Sequence, residues 1–124
     1  MNVYANPAGN GTANALKTED FICLGYIKKK NNMASLILAK YSQDHKFVVT
    51  NHVTVEISLN KIGQYNIAKA ECPFFKIPKG CLYADWIEPT VCTVGYVPLR
   101  NVGIRRAVFK EIRKDKRPEA CTLK

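Results

Sequence analysis

Hydrophobic and polar positions along the 124-residue chain fall into short blocks separated by polar or Pro/Gly-containing breaks. Phe21 to Lys29 is apolar and aromatic and runs into Lys28-Lys29-Lys30-Asn31-Asn32, a polar run that reads as a turn between strands. Met33 to Tyr41 is a second apolar run, broken by Ser42-Gln43-Asp44-His45. The third segment, Phe47 to Ser58, alternates in its second half: Val53, Val55 and Ile57 point one way, Thr54, Glu56 and Ser58 the other. That is the two-residue period of a half-buried strand. Ser58 can cap a helix over Leu59 to Ala70, with Leu59, Ile62 and Ile67 inward. Gly63 weakens it, at about 1 kcal/mol relative to alanine. Pro73, Pro78 and Gly80 mark an irregular stretch, and Val91 to Val97 reads as a further strand.

Three strands, a helix and further strands predict a mainly β chain, a five-stranded OB-fold Greek-key barrel with a short inserted helix. The length suits one domain. Residues 1–17, rich in Asn, Gly and Ala, read as a flexible leader, 18–120 as the OB-fold domain and 121–124 as a tail. No apolar run approaches the roughly 20 residues that span a bilayer. The N-terminus lacks the basic patch and apolar core of a secretory signal, so a cytoplasmic location is expected.

Charge adds direction. The formal net charge is +9, and residues 100–124 hold nine Lys or Arg against three acids. A concentrated basic segment attracts polyanions, nucleic acid or nucleotide phosphate; a merely solvated charged terminus is the competing reading. Cys23, Cys72, Cys81, Cys92 and Cys121 include no close pair, so no metal site is expected and the thiols read as small core or half-buried residues. His45 and His52 are the only histidines and have no nucleophile near them in sequence, which argues against a hydrolase.

The basic segment contains Arg113-Lys114-Asp115-Lys116-Arg117-Pro118. This R-x-D-K-x-P pattern resembles the last nucleotidyltransferase motif of ATP-dependent DNA ligases. Ile104-Arg105-Arg106-Ala107-Val108-Phe109 resembles the L-R-x-P-x-F lead-in of that family, with Ala107 in place of proline. Asp20-Phe21-Ile22-Cys23-Leu24-Gly25-Tyr26 is similar to the strand that opens the ligase OB domain, and Ser35 to Tyr41 to the strand that follows. Asn51 to Ser58 is similar to the family's G-H-V-x-x-G-V-S pattern, with Asn51 and Glu56 replacing glycines. Trp86-Ile87-Glu88-Pro89 matches its W-V-x-P element. The resemblance covers residues 17–119 in the family's order.

It implies that Arg113 and Lys116 contact ATP phosphates, that Asp115 orients the neighbouring cations, and that Lys17 stands where the family's final K-x-K lysine lies. Ala15 replaces the partner of that lysine. Arg105, Arg106, Lys110, Lys114 and Arg117 are the implied DNA contacts. The sequence contains no K-x-D-G nucleophile motif, so no catalytic residue is assigned. No cofactor is expected for the chain alone. ATP and Mg2+ are implied where a nucleotidyltransferase domain acts in trans, with nicked duplex DNA as the other partner and a place in DNA repair or replication. The alternative is an autonomous module for single-stranded or duplex nucleic acid, in which Tyr26, Tyr41, Phe47, Trp86 or Tyr96 would stack on bases unless they belong to the core.

Overall fold

The computed structural model describes residues 17–50, 53–97 and 105–123. Six strands, β1 (Lys17–Lys29), β2 (Met33–Tyr41), β3 (Phe47–Val49), β4 (Val53–Ser58), β5 (Asp85–Tyr96) and β6 (Arg105–Ile112), form one sheet in the order β1-β5-β6-β4-β2-β3. β1 also pairs with β2, so the sheet closes into a ring. All pairings are antiparallel except β4 with β6, where Val53–Val55 runs parallel to Arg105–Ala107. The architecture is mainly β and consistent with an OB-like fold.

The expected third strand, Phe47 to Ser58, is two strands. β4 lies on one half of β2, with Ala34 opposite Ile57. β3 lies on the other, with Lys40 opposite Val48. β1 occupies the remaining edge of β2, so β3 and β4 share a single position and the ring has five. The alternation read from sequence is borne out: Val53, Val55 and Ile57 are buried, and Glu56 is exposed.

The helix α1 (Leu59–Gln64) is shorter than expected. Ser58 caps it through a hydrogen bond accepted from Lys61 N at 3.1 Å. Asn66 takes a left-handed φ of 51°, which ends the helical path. The chain then runs beside β5: Glu88 N donates to Ala68 O at 2.9 Å and Ala70 N to Trp86 O at 3.1 Å. Ile62 and Ile67 pack against the core as expected.

β1 buries residues on both faces. Phe21 and Cys23 join a cluster inside the ring with Leu38, Val55, Cys92 and Val94. Ile22 and Leu24 face the other way, into a second cluster with Ile37, Ala39, Val91, Cys81 and Cys121. Cys81 comes from the irregular stretch before β5 and Cys121 from the C-terminal segment, so both segments lie over the outside of the ring. Residues 121–123 are therefore docked, although the sequence pattern reads them as part of a tail. Tyr41 N donates to Cys121 O at 2.7 Å and Leu123 N to Tyr41 O at 3.0 Å. Burying Cys121 is the physical reason. Lys17, placed at the end of the leader in sequence, is the first residue of β1; the rest of that leader lies outside the described residues.

β5 begins six residues earlier than expected, at Asp85, and contains Pro89. Its register with β1 jumps from Cys23↔Thr90 to Gly25↔Trp86, setting three residues of β5 against one of β1. Pro89 sits in that bulge, where its missing N–H costs no ladder bond. Gly25 stands at the same bulge, and a Cβ there would run into the backbone carbonyl of Asp85. Gly25→Ala is expected to destabilise the fold by about 1–3 kcal/mol, the usual cost of overpacking, measured as a lower urea midpoint. An unchanged midpoint would mean that the bulge has room to relax.

Candidate functional site

The R-x-D-K-x-P segment leaves the end of β6 with its backbone tied to β5, where Arg113 N donates to Val91 O at 2.8 Å. That bond sets the Arg113 side chain beside β1. The guanidinium grips Asp115 in a two-point fork, Nε to Oδ1 at 3.0 Å and Nη2 to Oδ2 at 2.9 Å. Its remaining nitrogen, Nη1, lies 3.4 Å from Asp20 Oδ2. Lys116 Nζ donates to the same Asp20 oxygen at 2.8 Å. Arg113, Asp115 and Lys116 thus come together, as the motif implies.

Asp20 is the hub, and the sequence reading names it only as the first residue of a strand pattern. It stands opposite Thr93 in the β1–β5 register, and its Oδ1 accepts from Thr93 Oγ1 at 2.5 Å. Its side chain is only 16% exposed. Burial pushes the carboxyl pKa up. The hydrogen bonds from Lys116 and Thr93 and the charges of Lys116 and Arg113 outweigh that effect and hold it below its ordinary value. Asp115 is held at about 2, chiefly by its hydrogen bonds from Arg113. Its partners respond in kind: Arg113 is raised by Asp115, and Lys116 by its bond to Asp20. Two cations and two carboxylates therefore balance locally.

A third cation, Lys40 of β2, continues the network along β1. Lys40 Nζ donates to the Asp20 carbonyl at 2.5 Å, pairs with Glu19 at 3.0 Å, and lies 4.5 Å from the Phe21 ring centroid. Tyr96 OH donates to the other Glu19 oxygen at 2.7 Å.

The remaining basic candidates are spread out. Arg106 and Lys110 are exposed on the outer face of β6, on either side of the exposed Val108, while Ala107 between them is buried. Lys110 lines a cleft of about 490 Å³ with Asp20, Thr93, Glu111 and Arg113. Lys114 is exposed and faces another cleft, of about 310 Å³, with Tyr65, Ile67 and Pro89. Arg117 is exposed and precedes a single 3-10 turn over Pro118–Ala120. Lys17 does not join the Arg113 cluster; it lines a separate hollow with Lys40, Val48 and Leu123. Arg105 is the first residue of β6, opposite Val53, and its side chain lies outside the described residues, as does His52.

Of the aromatic candidates, Tyr96 is buried, and Tyr26 and Trp86 are half-buried against the two clusters. Tyr41 and Phe47 are half-buried and pack edge to face, with ring centroids 5.5 Å apart. Only Tyr96 belongs to the buried core; the other four pack against it from its margin. Among the described residues the exposed aromatics are Phe75 and Tyr83, in the stretch that the sequence marks only as irregular.

All five thiols are free, and four are buried. Burial pushes Cys23 up to about 11 and Cys92 well above the ordinary thiol range. Such thiols are poor nucleophiles and poor metal ligands at neutral pH. Among the described residues no three of His, Cys, Asp and Glu come close enough to hold a metal. Among those residues, too, no helix is long and apolar enough to cross a membrane.

The ion network gives a pH signature. Because Asp20 titrates below its ordinary value of 3.8, its ionised form adds stability above that pH and loses it as pH falls through the lowered value. Asp20→Asn is expected to cost about 1–2 kcal/mol at neutral pH by urea unfolding, with the gap to wild type closing below pH 3.8. A gap independent of pH would remove the carboxylate charge from the explanation.

No family model matches the chain, and no curated protein matches it in sequence. Among solved structures it is similar to the ligase domain of LigD from M. tuberculosis, with a TM-score of 0.60 and 17% identity over 88% of this chain. The match spans 38% of that chain, and at this identity it establishes a shared fold.

Proposed function

We propose that this chain is an OB-fold module of an ATP-dependent DNA ligase, which contacts DNA and presents Arg113 and Lys116 to the phosphates of ATP during adenylation by a nucleotidyltransferase domain outside this sequence. The observation that carries the reading is the convergence of Arg113 and Lys116 on Asp20, with Asp115 held in the fork of Arg113, at the place where the R-x-D-K-x-P resemblance puts phosphate contacts. The likeness to the LigD ligase domain supports it at the level of fold.

The chemistry suits the residues. A transferring phosphoryl group spreads negative charge over several oxygens, and the protein's work is positioning and charge stabilisation. The fork that Arg113 gives to Asp115 is the geometry a phosphate would take, and Lys116 supplies a point charge beside it. In the resting arrangement the carboxylates of Asp115 and Asp20 occupy those donors. Phosphate oxygens of ATP replace them when the module closes on its partner. Lys17 serves the same nucleotide from the start of β1. Arg105, Arg106, Lys110, Lys114 and Arg117 hold the DNA backbone, and a nicked duplex is the preferred form.

The test is adenylation in trans. A ligase nucleotidyltransferase domain is incubated with labelled ATP, with and without this protein, and AMP transfer to the lysine is followed. The wild-type chain is expected to raise the rate. Arg113→Ala is expected to remove about 2–4 kcal/mol of that effect, a loss of roughly a hundredfold, as for other oriented donors to developing charge. No stimulation by the wild-type chain would end the proposal.

A further inference from the structure

The connection between α1 and β5 carries a surface that the R-x-D-K-x-P motif does not use. It is anchored from inside. Phe74 packs edge to face on Trp86, with centroids 5.9 Å apart, and Cys81 sits in the outer cluster. Cys81 N donates to Pro78 O at 3.1 Å and Ala84 N to Cys81 O at 3.2 Å, while Gly80 makes a turn with φ of +86°. With these residues held inward, their neighbours are held outward. Phe75 is fully exposed, Tyr83 is 86% exposed, and Leu82 and Ile77 stand out beside them. Among the described residues neither exposed ring stacks on another ring.

Large apolar side chains displayed by an anchored loop mark a binding surface. Charge indicates the partner. Lys69, Lys76 and Lys79 are all exposed in the same connection, and Glu71 is the only acid between residues 69 and 83. Lysine is depleted from protein–protein interfaces, whereas aromatic platforms interleaved with cations suit a single nucleic-acid strand. In an intact duplex the faces of the bases are covered by their neighbours, so a ring on a loop reaches them only where the strand is open.

We infer that residues 72–83 form a stacking surface for single-stranded DNA, with Phe75 and Tyr83 as base platforms and Lys76 and Lys79 on the backbone phosphates. β5 links this surface to the cationic cluster. Phe74 packs on Trp86, and Arg113 is bonded to Val91, five residues or ~17 Å further along the strand. The inference rests on the ligase reading only for the choice of DNA over RNA.

The test uses the whole chain with no catalytic domain, so failure of trans-adenylation does not bear on it. Fluorescence anisotropy compares a labelled oligothymidine of roughly 20 nucleotides, the matching oligouridine and a blunt duplex of the same length, at fixed salt. The Phe75→Ala/Tyr83→Ala variant removes only exposed rings, and its thermal midpoint is measured alongside. It is expected to weaken oligothymidine binding about tenfold or more and to leave duplex binding within about twofold. Lys76→Glu/Lys79→Glu is expected to weaken the same binding and to flatten its dependence on salt. Wild-type affinity in the ring variant, or an equal loss on duplex, overturns the inference. A wild-type preference for oligouridine overturns the choice of DNA.

Discussion

The burial of β1 on both faces is the constraint on which the rest of the structure depends. A strand in a small barrel ordinarily turns one face to the core and the other to water. Here Phe21 and Cys23 fill the ring while Ile22 and Leu24 point outward and must also be covered. That demand recruits two segments outside the sheet: the loop before β5, through Phe74 and Cys81, and the C-terminal segment, through Cys121. Each is fixed over the outside of the ring, so their neighbours acquire defined positions. Phe75 and Tyr83 are displayed because Phe74 and Cys81 are held. The turn that carries Lys116 is held close to β1 because Cys121, just beyond it, is buried.

The ion network follows from the same packing. β1 lies between β2 and β5, and Asp20 sits close to the point where β1 meets Thr93 of β5 and the segment that follows β6. Its partners therefore arrive from three places: Thr93 across the sheet, Lys116 and Arg113 from beyond β6, and Lys40 of β2 at the backbone carbonyl. A carboxylate this enclosed is tolerable only with several donors, and it has them. The bulge at Gly25 and Pro89 lets β1 and β5 stay in contact over their length despite the curvature of the ring.

Local patterns were legible where one face decides the outcome. β2 runs from Met33 to Tyr41 as its apolar run indicates, and Val53, Val55 and Ile57 point inward as their alternation requires. The helix was recognisable from its Ser58 cap, but not its end, because the left-handed Asn66 is set by the path the chain takes toward β5. The division of Phe47–Ser58 into two strands depends on both pairing with one edge of β2, which no local pattern encodes. The motif residues Arg113, Asp115 and Lys116 were visible as a sequence resemblance. Asp20 was not, since its role arises from a register joining residues more than seventy positions apart. The exposure of Phe75 and Tyr83 was equally hidden: an aromatic residue in an irregular stretch looks the same in sequence whether it packs inward, as Phe74 does, or outward.

The pairing of Arg113 and Lys116 with Asp115 and Asp20 also determines which anions can reach them. Carboxylates fixed on the same folded chain act at an effective concentration far above that of a free solute. Chloride or a simple carboxylate must compete with these resident groups one charge at a time. On the proposed function, the polyphosphate of ATP brings several negative oxygens at once and displaces both residents together. It also leaves Asp20 and Asp115 to be accommodated by Thr93, solvent or new cations. On the proposed function, the cluster thus answers to charge density rather than to charge alone.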